Sequence, residues 1–197
     1  MKHIGRKLYH LFGGLGLLSL YFLLGRPIAL PLYALLFLLV LTVDLIRLRV
    51  PAFNEFVMTR FSSFIRASEA RKLTGTPPYV LGIGLSLLLY RTDIAAAAVC
   101  FLVFGDVAAT AVGERYGRTK IAGEKSLEGT AAFIVAAVVA GSLLPLAGIY
   151  LSSGIVLAGA LAAAGVELLP LPVNDNLAIP LVSGGVMELI SRIAGQA

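Results

Sequence analysis

Runs of about 20 mostly apolar residues recur along this chain, separated by short charged or Pro/Gly segments, and each is long enough for a helix to cross the hydrocarbon of a bilayer. Backbone polar groups in lipid must be satisfied within the chain, so such runs are read as helices. Composition agrees. With 58% hydrophobic and 14% charged residues among 197, the chain has too little polar surface to cover a soluble globule. One integral membrane domain over residues 1–197 follows. The net charge of +5 is assigned to cytoplasmic loops and anionic lipid rather than to nucleic acid. Cys100 is the one cysteine and lies in an apolar run, which excludes an internal disulfide or a cysteine metal cluster.

The expected fold is an all-α polytopic bundle with crossings at 8–24, 28–46, 78–90, 94–112, 129–149, 150–169 and 177–193. No small-x-small cleavage pattern follows the first run, so it is read as a retained helix. The third run is short, and a re-entrant third segment would make the count six instead of seven. An N-in, C-out parse leaves only Arg26, Arg91 and Arg192 of the 16 basic residues outside, and only Asp93 and Glu188 of the acids. Between the second and third runs, Phe53, Phe56, Val57, Phe61 and Phe64 recur at helical spacing, which predicts an amphipathic helix over 51–65 lying in the interface. Gly105, Ala109 and Gly113 form a small-residue stripe that lets a neighbouring helix approach closely.

Ionisable residues inside such a bundle are costly and mark chemistry. Asp106 lies roughly 9 Å of helix rise inside its span and shares a face with Thr110 and Glu114, giving a polar stripe directed toward the cytoplasm. The loop at 113–129 follows, rich in glycine and carrying Arg115, Arg118, Lys120 and Lys125, a composition suited to a polyphosphate. Ser126-Leu127-Glu128-Gly129 then opens the fifth helix, whose positive end can face an anion. Asp44/Arg47 and Arg66/Glu69 are charged pairs spaced to share a helix face. Arg6, Lys7 and His10 gather at the inner mouth of the first span. Near the end, Pro170 and Pro172 break the helix where Asp175 and Asn176 appear, and these offer either hard oxygen ligands for Mg²⁺ or a helix cap.

In order, RKLYH at 6–10, DLIR at 44–47, RASEARKLTG at 66–75, GDVAATAVGERYG at 105–117, KSLEG at 125–129 and ELLPLPVNDNLAIP at 167–180 resemble the polyprenol kinase family. That family includes CTP-dependent dolichol kinase, phytol kinase and the yeast-type diacylglycerol kinase. The middle block is also similar to phosphatidate cytidylyltransferases. The chain lacks the extra spans of dolichol kinases, and its size is nearer the phytol kinase type. Where family members often show two acids before the asparagine, here Asn174 precedes Asp175.

The resemblance implies a kinase that passes the γ-phosphate of CTP to a membrane lipid alcohol of the polyprenol, phytol, geranylgeraniol or diacylglycerol type. It implies Asp106 and Asp175 as Mg²⁺ ligands, with Gly113, Gly117, Lys120, Lys125, Ser126 and Asn176 toward the nucleotide. Arg6, Lys7 and Arg66 complete the surround, and Glu128, Glu69 or His10 accepts the alcohol proton. The rivals are a cytidylyltransferase acting on a lipid phosphate and a small transporter built on Asp106. The expected partners are CTP, the lipid alcohol and the bilayer, with the active site on the cytoplasmic face. Whether the chain acts alone or as a homo-oligomer is left open.

Overall fold

Prolines and glycines set the helix boundaries, because proline has no N–H to lose in a first turn and glycine accepts a positive φ. Pro27, Pro51 and Pro77 lie in the first turns of three helices, and Gly148 closes a helical segment at φ 75°. The computed structural model describes residues 4–123 and 125–195. Its helices are α1 (Ile4–Leu24), α2 (Arg26–Arg49), α3 (Pro51–Arg60), α4 (Thr76–Leu89), α5 (Thr92–Cys100), α6 (Asp106–Tyr116), α7 (Leu127–Leu143), α8 (Ser153–Leu168) and α9 (Asp175–Ile193). Lys2, one of the basic residues that the N-in parse puts on the inner side, lies outside the described residues.

Successive long helices run in alternating directions. At one end of the bundle Tyr21 at the end of α1 meets Thr92 at the start of α5, Arg26 at the start of α2 donates to the Leu88 carbonyl in α4, and Arg91 donates to Ser191 in α9. The opposite end gathers the N-terminal part of α1, the C-terminal ends of α2 and α8, and the N-terminal ends of α4, α7 and α9. At the centre, α5 and the π-helical turn Phe101–Gly105 pack on α1, α7, α8 and α9, and the stretch from Ile94 to Val103 is buried without a break. Ala95, Ala96, Ala97 and Ala98 have no exposed surface, and their small side chains admit those neighbours closely. α2 is peripheral: Ala29, Tyr33, Asp44 and Arg47 are buried, while Leu35, Leu38 and Leu39 face outward. An exposed leucine face of this kind matches hydrocarbon.

Four helical stretches are long and apolar enough to cross a membrane, namely Gly5–Leu24, Arg26–Arg49, Thr92–Tyr116 and Leu127–Ala147. The expectation of seven crossings therefore goes beyond what length and hydropathy give. α4 and α8 have only 14 and 16 residues, and α9 carries Asn176, Ser183 and Ser191, which are buried in the bundle. Four further expectations are corrected. The helix expected over 51–65 ends at Arg60 and buries only Val57, leaving Phe56, Phe61 and Phe64 exposed. The fourth span is interrupted by the π turn, and the sixth begins at Ser153 instead of residue 150. The 113–129 loop contains a two-stranded antiparallel hairpin, β1 (Lys120–Ala122) with β2 (Lys125–Ser126), so the fold is helical with one small β element.

The small-residue stripe packs as expected. A Cβ on Gly105 would stand 2.5 Å from Phe133 Cζ of α7. Gly14 plays the corresponding part on α1, since a Cβ there would overlap the Tyr79 hydroxyl. That hydroxyl donates to the His10 carbonyl and so fixes α1 against α4.

Candidate active site

Helical period brings Asp106, Thr110 and Glu114 onto one face of α6, and the N-terminal turns of α1 lie across it. Together with Arg6, Lys7, His10 and Arg66 these residues line a pocket of about 40 Å³. Lys7 is buried and its ammonium meets Glu114 Oε2 at 3.3 Å. Thr110 donates its hydroxyl to the Asp106 carbonyl at 2.7 Å. The π turn immediately before Asp106 resets the helix register there; such turns are frequent at functional sites.

His10 is the most informative side chain of the pocket. It is 3% exposed, and its ring lies against Tyr79 with centroids 4.6 Å apart. Nδ1 has no hydrogen-bond partner and stands 3.9 Å from Asp106 Oδ2. A buried, unpaired ring nitrogen carries a desolvation cost, and a site that keeps one keeps it available. The charges bearing on this imidazole are Asp106, Arg6, Arg66 and Glu69.

A second cluster adjoins the first. Lys125 Nζ donates to Asp175 Oδ2 at 3.0 Å and to the Glu167 carbonyl, and it lies 3.7 Å from Glu167 Oε1. Glu167 Oε2 is buried without a partner. The charges of Asp106 and Asp175 both act on Glu167 and on Arg6, which places them in one electrostatic neighbourhood although only Asp106 lines the small pocket. Beside the pocket runs a larger groove of about 360 Å³ that shares Arg6 and His10 with it.

Among the described residues no three His, Cys, Asp or Glu side chains converge into a protein-only metal cage. Mg²⁺ seldom needs one, since it is usually held by one or two carboxylates together with substrate phosphates. Asp106, a half-buried carboxylate facing a pocket of cationic side chains, fits that requirement; Asp175 fits it only if Lys125 shares or yields its carboxylate.

Comparison with known proteins narrows the chemistry. No family model matches the chain, and no solved structure matches it. It is 34% identical over 143 residues to CTP-dependent diacylglycerol kinase 1 of Saccharomyces cerevisiae, covering 68% of this chain and 48% of that protein. The protein of the same name from Eremothecium gossypii is 35% identical over 140 residues, covering 68% and 44% respectively. The chain thus spans about half the length of these two relatives. The Schizosaccharomyces pombe protein of that name is 30% identical over 168 residues, covering 76% of this chain and 75% of that relative. The chain belongs to the CTP-dependent lipid kinase family. The comparisons do not single out its dolichol or phytol kinase members.

Several residues expected at the site also make contacts within the protein. Glu69 is buried and accepts from Arg66 N at 2.8 Å and from Gly75 N at 3.0 Å, so both its oxygens close the 66–75 loop. Glu128 accepts from Thr119 N through both oxygens at 3.2 Å and clamps the hairpin to α7. Ser126 caps α7, its Oγ accepting from Gly129 N at 3.2 Å. Gly113 and Gly117 both lie against Ser126, and at Gly117 a Cβ would stand 2.6 Å from its Oγ, so a side chain there would push the end of α6 from the start of α7. Asn176 is buried and donates to the Gly75 carbonyl at 3.0 Å, while Asn174 forms the α9 cap. Lys120 is exposed on β1 and does not line either cavity.

Two members of the site were not singled out in the sequence. Glu167 had a signal, being an acid at the end of an apolar helix eight positions before Asp175. Tyr79 had none, because a tyrosine after Pro77-Pro78 reads as an ordinary core residue.

Proposed function

We propose that this protein is a CTP-dependent kinase that transfers the γ-phosphate to the hydroxyl of a membrane lipid alcohol, with diacylglycerol the first candidate because the relatives carry that name. The observation that carries the reading is the unpaired His10 Nδ1 beside Asp106, in a small pocket walled by Arg6, Lys7 and Arg66. Phosphoryl transfer asks chiefly for positioning and charge neutralisation, and Arg6 and Arg66, which line the pocket with Asp106 while Lys7 neutralises Glu114, supply both.

In this reading the alcohol oxygen bonds to the γ-phosphorus, the bond from that phosphorus to the β–γ bridging oxygen breaks, and CDP leaves. His10, in its Nε2–H tautomer, takes the alcohol proton on Nδ1. Glu69 and Glu128 are weaker candidates for that step, since backbone amides already occupy their oxygens. Arg6 and Arg66 hold the phosphate oxygens, and Lys125 keeps Asp175 and Glu167 from repelling the nucleotide. Asp106, with Asp175, would hold Mg²⁺, which neutralises phosphate charge when bound. The site faces the cytoplasm in the N-in orientation.

The test is purified protein in nanodiscs with Mg²⁺ and CTP labelled at either the α- or the γ-phosphate, offered diacylglycerol and isoprenoid alcohols. The γ-label should enter the lipid, and His10→Asn should lower kcat by about 10²–10⁴-fold with little change in the KM for CTP. Entry of the α-label would assign a cytidylyltransferase instead.

A further inference from the structure

The larger groove lies between the first turns of α1 and the segment 61–76, and its open wall is formed by Tyr9, Phe61, Phe64 and Ile65. Tyr9 links the two sides: its ring centroid is 6.3 Å from that of Phe64 and 5.9 Å from that of His10. Gly5 lets the 61–65 turn come close, since a Cβ there would stand 3.0 Å from the Ser63 carbonyl oxygen. The result is an aromatic trough that ends at the two side chains, Arg6 and His10, that also line the polar pocket.

Away from the shared mouth, Glu69 and Thr74 are the groove's side chains whose polar atoms are already paired. Both Glu69 oxygens accept backbone amides, and the Thr74 hydroxyl donates to Asp44 Oδ2 at 3.0 Å. A cytosine ring brings donors and acceptors that need partners, and burying it against such a floor leaves them unmet. A hydrocarbon chain has no such need. Phe61 and Phe64 are nearly half exposed, and large apolar side chains held at the surface beside a cavity mark a contact surface for apolar matter.

We infer that this groove is the acceptor site, holding the hydrocarbon of the lipid alcohol along Tyr9, Phe61, Phe64 and Ile65 so that its hydroxyl reaches His10 at the shared mouth. The inference rests on the kinase reading of the polar pocket and adds to it the path of the second substrate. The lipid enters sideways past the 61–65 turn, while CTP approaches from the hairpin and Lys125. The two substrates meet only at Arg6 and His10. This geometry excludes bulk water from one side of the reaction and makes lipid and nucleotide affinity separable by mutation.

The full chain in nanodiscs is to be photolabelled with a diacylglycerol bearing a diazirine near its glycerol, and the labelled peptides mapped. In parallel, Ile65→Trp fills the groove, and Phe61→Asn, at an exposed position, removes apolar contact with little risk to folding. The label should fall on Tyr9 and on 61–65, and both variants should raise the KM for lipid at least about tenfold while the KM for CTP stays within about twofold. Labelling elsewhere, with γ-transfer and lipid KM intact in Phe61→Asn, would overturn the groove and leave the kinase reading standing. Protection of 61–65 by CTP alone would overturn it in favour of a nucleotide-base site. Labelling of the groove with no transfer from CTP to any alcohol would retain a lipid site and remove the kinase.

Discussion

Arg47 offers the sharpest test of how this architecture holds its site. Its side chain is 1% exposed and donates to Asp44 Oδ1 at 2.5 Å, to Asn54 Oδ1 at 3.0 Å, to the Glu69 carbonyl at 3.2 Å and to the Lys72 carbonyl at 2.6 Å. Asp44 in turn accepts from Thr74 N at 2.6 Å, and Asn54 donates to the Ala70 carbonyl at 2.9 Å. One guanidinium thereby ties α2 to α3 and to the 66–75 loop that carries Arg66 and Glu69. Arg47→Met keeps the bulk and removes every donor. It leaves Asp44 buried without its charge partner, a change that costs about 3–5 kcal/mol. At about 2–4 °C per kcal/mol for a chain of this size, the unfolding midpoint should fall by about 6–20 °C. Arg47→Lys retains charge but not the planar fork, and should fall between the two. Adding Asp44→Leu should not restore stability, because the Thr74 amide then loses its own acceptor. The assay is thermal unfolding in one fixed detergent, with hydrogen exchange of the 66–75 amides. A midpoint for Arg47→Met within about two degrees of the parent, with unchanged exchange in that loop, would refute the network as the loop's anchor.

Two further outcomes are expected. Asp106→Asn and Asp175→Asn should each abolish turnover with little loss of thermal stability, since both carboxylates are partly exposed, and the double variant should be scarcely worse than either; additive losses with lowered midpoints in both would indicate separate structural roles. In a Cys100→Ala background, cysteines at Ser68 and Ala122 should react with an impermeant thiol reagent from the cytoplasmic side and one at Leu146 only from the other, and opposite labelling of Ser68 and Ala122 would sink the single-face site.

The sequence alone determined the helical membrane class of this protein and the shared face of Asp106, Thr110 and Glu114 on α6. Apolar runs of membrane length are a local property: lipid gives the backbone no partner, so each run must satisfy its own hydrogen bonds and becomes a helix whatever its neighbours do. The four-residue spacing of Asp106, Thr110 and Glu114 is local too, and the structure sets all three in one pocket. Motif order placed Arg6, Lys7, His10 and Arg66 around that pocket without any distance being known. Tertiary structure decided which of these groups remain free to act. Glu69, Glu128 and His10 were equivalent proton acceptors on residue type, yet amides from Arg66, Gly75 and Thr119 occupy the two carboxylates and leave the imidazole Nδ1 unpaired. Likewise Gly117 reads from sequence as part of a phosphate loop, and only the packing shows that it also lets α6 end tightly against Ser126. Composition could not show that α9 turns Asn176, Ser183 and Ser191 inward, because their burial is a property of the packed bundle. The deciding contacts join residues far apart in the chain, such as Lys7 with Glu114 and Asn176 with Gly75, and each exists only once the helices have packed.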